Sequence, residues 1–183
     1  MKTYIVVEEP YDANILRSTL PRQTLRNTHL VVGGCKSSGI SLARSLISDR
    51  GEPLLLVMDA DTVNKEAIIE QEKELRELLG AVSINTPYDV VLAVPELEVV
   101  FFHDLDSLAH TLQVAIDHEV AVNGVYEPRK TLKTLFMKSP HHIHDQEQFL
   151  QLLDDTARKS IAQHPIIQKI KDFVANFEAI SIT

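Results

Sequence analysis

Residues 53–61 read PLLLVMDAD, an apolar run that ends in two aspartates. A run without polar positions is typical of a central parallel strand, which is buried on both faces. The carboxyl ends of such strands meet at one edge of the sheet, where open α/β proteins place their binding sites. We therefore expect Asp59 and Asp61 to stand at a site-forming edge, where their spacing of two residues allows both to point to one side and share a cation.

Strands and helices are predicted to alternate around this run. The predicted strands are residues 3–8, 30–32, 53–58 and 89–94, and the predicted helices are 11–20, 40–47, 64–79, 106–119 and 146–177, the last one interrupted at Pro165. Residues 98–102 are either a strand or the first turn of a buried helix. Ser37 or Ser38 is the expected N-cap of the helix at 40–47. The pattern predicts an α/β fold with a central parallel sheet of about four strands, helices on both faces and a helical C-terminal layer.

Length and composition predict one domain over residues 1–183, with a core at about 3–135 and the helical layer at about 136–183. The net charge of −8 argues against binding nucleic acid through a broadly basic surface. The N-terminus shows no signal-peptide pattern and no apolar run is long enough to span a membrane, so we expect a cytoplasmic protein without a membrane partner.

Glu8 follows the first predicted strand, so it is expected at the same edge as Asp59 and Asp61. Three carboxylates at one edge repel one another and raise their own pKa values unless a cation intervenes. Such hard oxygen ligands suit Mg²⁺ or Mn²⁺. The sequence thus indicates a metal-dependent phosphoryl-transfer site. Each motif also has an interpretation without a site. Glu8 would interact favourably with the dipole of the next helix at its N-terminus, and Asp59-x-Asp61 would form a turn in which Asp61 or Thr62 caps the following helix.

Gly33 and Gly34 begin a small-residue loop after the second predicted strand. The spacing from Gly34 to Gly39 is that of a phosphate-binding P-loop, but Ile40-Ser41 stands where that motif has Lys-Ser/Thr. We nevertheless predict that Gly33 and Gly34 let a sugar-phosphate backbone approach closely. Lys36 is a candidate phosphate contact, the alternative being an ordinary exposed lysine.

Two further groups are interpreted as structural. Cys35, the single cysteine, excludes an internal disulfide and a cysteine-based zinc cage, and no base partner for a nucleophile is visible. His141-His142-Ile143-His144 lacks the spacing of a zinc site.

Three motifs together resemble the Toprim family, which includes topoisomerases, primases, ribonuclease M5 and nucleases of the OLD (overcoming lysogenisation defect) type. These motifs are the segment from Glu8 to Asp12, the Gly33-Gly34 loop and Asp59-x-Asp61. The family's pattern is a Glu that ends the first strand and an Asp-x-Asp that ends the third, around Mg²⁺. Here Glu9 replaces the family's glycine, and the Gly-Glu that follows Asp-x-Asp in topoisomerases and ribonuclease M5 is missing.

Two later segments resemble OLD-type and related standalone Toprim proteins. Residues 95–101 are similar to a Pro-x-Ile-Glu element, which makes Glu98 a further metal ligand. Residues 128–132 are similar to a Pro-Lys segment, which makes Lys130 the transition-state cation. The resemblance covers about residues 3–135. It implies a Mg²⁺- or Mn²⁺-dependent nuclease acting on DNA or RNA, with metal held by Asp59 and Asp61 and with Glu8 as ligand or general base.

Two other classes stay open. Asp59-Ala60-Asp61-Thr62-Val63 matches the opening of haloacid-dehalogenase phosphatases, whose first Asp is a nucleophile, but the later motifs of that family are absent. The third class is a catalytically reduced Toprim-like subunit that binds nucleic acid or a partner. Standalone Toprim proteins similar to this chain often work beside an ATPase, so an ATPase partner is a further expectation. An oligomer is also expected.

Overall fold

The computed structural model describes residues 2–178 and contains a sheet of four parallel strands. The strands are β1 (Thr3–Val7), β2 (Thr28–Val32), β3 (Leu54–Asp59) and β4 (Tyr88–Ala93), and their order in the sheet is β2-β1-β3-β4. The apolar run is β3, which lies between β1 and β4 and is buried along its whole length. The predicted α/β class and parallel sheet are confirmed.

Helices cover both faces of the sheet and form the C-terminal part of the described chain. They are α1 (Pro10–Thr19), α2 (Arg22–Arg26), α3 (Lys36–Arg50), α4 (Lys65–Gly80), α5 (Leu105–Leu112), α6 (His118–Tyr126), α7 (Pro128–Lys138), α8 (Gln146–Leu152), α9 (Asp155–Ile161) and α10 (Pro165–Glu178), with a 3₁₀ helix at Leu97–Phe102. None of the helices within residues 2–178 combines the length and the apolar character needed to cross a membrane.

The two faces of β3 enter two separate hydrophobic cores. Leu54, Leu56 and Met58 pack in the core that contains residues of α3 and α4. Leu55 and Val57 pack in the larger core, with α1, the 3₁₀ helix and the C-terminal helices. Because side chains alternate along a strand, Asp59 continues the face of Leu55 and Val57. Asp59 is therefore placed beneath α1, the 3₁₀ helix and α7.

Local predictions differ in outcome. Of the two alternatives for residues 98–102, the structure has the buried helical one, as part of the 3₁₀ helix. The predicted helix at 106–119 is instead two helices, because Gln113 adopts a left-handed conformation with φ of 54°. In the segment predicted as helical over 146–177, the interruption at Pro165 is confirmed, since α10 begins there. The structure adds a further break, after which Asp154 caps α9 by accepting a hydrogen bond from Ala157 N. The N-cap of α3 is Cys35, and that of α4 is Asn64.

Candidate acidic site at the carboxyl edge of the sheet

Asp59 is a buried carboxyl group at the carboxyl end of β3, only 7% exposed. Its Oδ1 accepts a hydrogen bond from the backbone N–H of Leu97 at 2.8 Å, and its Oδ2 accepts one from Arg129 Nη2 at 3.0 Å. Burial, reinforced by Asp12 and Glu98, raises the pKa of Asp59 to about 8. The Arg129 guanidinium opposes this rise but does not outweigh burial.

Asp12 on α1 and Glu98 on the 3₁₀ helix complete what we call the Arg129 cluster: Asp12, Asp59, Glu98 and Arg129. Glu98 is fully buried and accepts a hydrogen bond from Arg129 Nε at 2.5 Å, yet burial still raises its pKa. Asp12 is 4% exposed, and burial raises its pKa to about 6. Asp12 Oδ2 accepts from Glu9 N at 2.8 Å, but Oδ1 has no hydrogen-bond partner among the described residues.

A second group, the Lys36 cluster, consists of Glu8, Asp61 and Lys36. Lys36 Nζ lies 2.6 Å from Asp61 Oδ2, and the Lys36 charge and backbone amide act to lower the pKa of Glu8. Burial raises the pKa of Glu8, and within the described chain its Oε2 is buried without a hydrogen-bond partner. Asp61 has a left-handed backbone with φ of 55°. The Asp61 carboxylate pairs with Lys36 and that of Asp59 pairs with Arg129, so each aspartate has its own cationic partner.

Arg129, and not Lys130, enters the acidic site from α7. Lys130 is 74% exposed and its Nζ lies 2.9 Å from Glu127 Oε2. Adjacent helical residues project about 100° apart, so only one of the two basic residues can face the site. Arg129 was not among the predicted site residues, because the motif locates the segment but not the rotation of its helix.

The glycine loop packs tightly against the end of β1. Gly33 N donates to Val7 O at 2.9 Å and Gly34 N donates to Glu8 O at 2.8 Å, so both amides are already engaged. A Cβ atom on Gly33 would lie 2.4 Å from the Cα of Gly39. Close approach of its backbone to that of Gly39 explains Gly33, whereas a left-handed backbone with φ of 91° explains Gly34. Their contact with phosphate stays a prediction.

The expected cation has suitable donors here but no closed set of ligands. In the part of the chain that the structure describes, no three His, Cys, Asp or Glu side chains are arranged to hold a metal ion. Carboxylate oxygens of the kind Mg²⁺ prefers are present, and Glu8 Oε2 and Asp12 Oδ1 are buried without partners among residues 2–178. Arg129 and Lys36, however, hold the carboxylates of the other acids. The donor chemistry fits a divalent cation, while this arrangement of side chains does not close around one.

A pocket of about 240 Å³ includes Asp61 of the Lys36 cluster. It is lined by Asp61, Pro95, Glu96, Tyr126, Glu127 and Lys130. Tyr126 is an exposed aromatic residue that sequence analysis did not select, since nothing in its own segment places it near Asp61. A larger groove, of about 580 Å³, lies at α4 and the start of β4 and contains none of the predicted site residues.

Cys35 is expected to react with iodoacetamide at neutral pH. It is exposed at the N-terminus of α3, with its sulfur 3.4 Å from Ser37 Oγ and 3.2 Å from Ser38 Oγ, and these hydrogen bonds lower its pKa to about 7. The alkylation rate, followed by mass spectrometry, should be half-maximal near pH 7. In the double variant Ser37→Ala/Ser38→Ala the midpoint should move toward about 8.5, the value of an ordinary thiol. An identical midpoint in both proteins would contradict the assignment.

Comparison of this chain with protein-family models, with curated proteins and with solved structures finds no match.

Proposed function

We propose that the protein hydrolyses phosphodiester bonds in DNA or RNA with Mg²⁺ or Mn²⁺ as its cofactor. The observation that carries the proposal is Asp59, a buried carboxyl group at the carboxyl end of a central strand whose pKa is raised to about 8 beside Asp12 and Glu98. Strongly perturbed acidic groups of this kind concentrate at functional sites. The resemblance of the sequence motifs at Glu8 and Asp59-x-Asp61 to those of the Toprim family favours phosphoryl transfer over other reactions.

The cation would be held by carboxylates from the set Glu8, Asp59, Asp61 and Glu98, and when bound it would polarise the phosphate. Glu8 is the candidate proton acceptor, because burial raises its pKa and one of its oxygens has no partner among the described residues. Arg129 is better placed than Lys130 to stabilise negative charge on the phosphate. Lys130 lines the adjoining pocket, from which it would contact the substrate backbone.

The test is cleavage of plasmid, linear DNA and RNA by purified protein with Mg²⁺ and with Mn²⁺. We expect wild-type protein to cleave at least one of these substrates, and EDTA to stop the reaction. Asp59→Asn should lower the rate by about 1000-fold or more, because it removes a charged ligand from the site.

Asp89→Asn is the matched control for this variant. Asp89 also lies on a sheet strand and also pairs with an arginine, Arg76, but it stands near the start of β4 at the opposite edge of the sheet. The Asp89→Asn variant should cleave nucleic acid at the wild-type rate. Cleavage that survives Asp59→Asn would show that the activity belongs to a contaminant.

A second candidate is a binding subunit without catalysis, as the partner of an ATPase. The observation that favours it is the occupation of the acidic carboxylates by Arg129 and Lys36, with no three-ligand metal group among residues 2–178. This candidate predicts a protein inert toward all three nucleic acids that co-purifies with an ATPase from its native cell. Robust cleavage lost in Asp59→Asn would exclude it.

A further inference from the structure

Arg129 is the central cation of the acidic edge. Its guanidinium nitrogens lie 3.0 Å from Asp59 Oδ2 and 2.5 Å from Glu98 Oε1. The carboxylates of Glu9 and Glu96 lie farther from the guanidinium, at 3.8 and 4.0 Å. A guanidinium presents several donors in a rigid fork, so one side chain bridges two carboxylates from different elements. Arg129 thereby ties α7 to β3 and to the 3₁₀ helix.

The local chain does not favour a cation at this position. Arg129 is the second residue of α7, directly after Pro128, and the first turn of this helix contains no acidic residue. The N-terminus of a helix carries partial positive charge and favours acids over bases. The ion pairs with Asp59 and Glu98 must therefore offset an unfavourable local placement. This indicates that the position of Arg129 is set by the carboxylates.

Arg129 also does not neutralise all the carboxyl groups of the Arg129 cluster or provide a hydrogen-bond partner for each of their oxygens. At most one positive charge stands against three carboxyl groups, those of Asp12, Asp59 and Glu98. Asp12 is more than nine-tenths buried, and its Oδ1 has no hydrogen-bond partner in the described structure. The neighbouring Tyr11 hydroxyl is likewise buried and without a partner among residues 2–178. Buried polar atoms are almost always paired, so this region has capacity for a further ligand.

We propose that Arg129 is an internal counter-cation. Its ion pairs with Asp59 and Glu98 exclude a divalent cation from those carboxylates, and a bound divalent cation excludes the ion pairs. The resting site is then held closed by the protein's own side chain. A metal binds only when Arg129 leaves, and the released guanidinium becomes available to an anionic group such as a phosphate. This inference concerns control of cation entry and rests on the proposed function only in placing the cation at this acidic edge.

The experiment measures Mn²⁺ binding to wild type, Arg129→Met and Arg76→Met, by calorimetry and by the metal-induced rise in melting temperature. Methionine removes the charge and keeps an unbranched apolar side chain. Without competition from the guanidinium, Arg129→Met should bind Mn²⁺ with a Kd at least tenfold lower than the wild type. It should also show the larger melting-temperature rise, because unpaired buried carboxylates destabilise the metal-free variant.

Arg76→Met is the matched control. Arg76 lies on α4 and also pairs with two acids, Glu72 and Asp89, but Asp89 stands near the start of β4, away from the Arg129 cluster. Its Mn²⁺ affinity should equal that of the wild type. If Arg129→Met does not fold, Arg129→Gln provides the same test, since its amide also removes the positive charge while keeping a hydrogen-bond donor for the carboxylates.

A Mn²⁺ affinity in the folded Arg129 variant no higher than that of the wild type would overturn the inference, whether or not the protein cleaves nucleic acid. A gain confined to Arg129 variants would support it, even where no cleavage is found and the proposed hydrolase function fails.

Discussion

Asp59→Asn is expected to raise the free energy of unfolding at pH 8 by about 2 kcal/mol. Burial raises the pKa of Asp59 from 3.8 to about 8, with Asp12 and Glu98 adding to the rise. Each pKa unit corresponds to about 1.4 kcal/mol, and weaker hydrogen bonds to Leu97 N and Arg129 in the variant offset part of the gain. Crowding of buried carboxyl groups thus lowers the stability of the fold, and under the proposed function the same variant should be both inactive and more stable.

The pH dependence identifies the cause. Because the folded-state pKa of Asp59 lies above the unfolded value, its contribution to stability is fully present below about pH 4 and is lost as the pH rises toward 8. The difference between Asp59→Asn and wild type should therefore vanish near pH 4 and grow up to pH 8, in urea titrations across this range. A variant that is less stable than wild type at pH 8 would show that the ion pair with Arg129 dominates.

Gly33→Ala is expected to lower the free energy of unfolding by about 3 kcal/mol. Its Cβ would lie 2.4 Å from Gly39 Cα and 2.7 Å from Gly39 N. Both are backbone atoms in the first turns of α3, so neither can move aside as the end of a flexible side chain would. Relief requires the loop to leave the end of β1, where Gly33 N donates to Val7 O. Urea unfolding monitored by circular dichroism measures the loss.

Gly39→Ala is the control on the other side of the same contact. Its Cβ would meet Met58 Cε at 3.2 Å, which is the mobile end of a side chain, and alanine favours the helix in which Gly39 lies. We expect a change below about 1 kcal/mol. Equal losses in the two variants would mean that the close approach at Gly33 is not the cause.

The sheet could be predicted because its signals are local and strong. The run from Leu54 to Met58 has no polar residue, and a strand buried on both faces needs such a run. Parallel strands carry their ends to one edge, so the location of Glu8 and Asp59 followed directly. Helix ends were harder to predict, since the break at Gln113 depends on one left-handed residue that no sequence pattern marks.

The chain's own pattern determined which segments carry two of the acids, Glu8 after β1 and Asp59 in β3, and the family resemblance added Glu98 after β4. Each stands at the carboxyl edge. The tertiary structure alone decided how these acids group. The left-handed turn at Asp61 sends its carboxylate to Lys36, and the rotation of α7 brings Arg129 to Asp59 and leaves Lys130 on the surface. Strand periodicity fixes only the face on which a residue lies, whereas pairing of charges requires the relative placement of elements far apart in the chain. For that physical reason the counter-cation of this site emerges only from the folded protein.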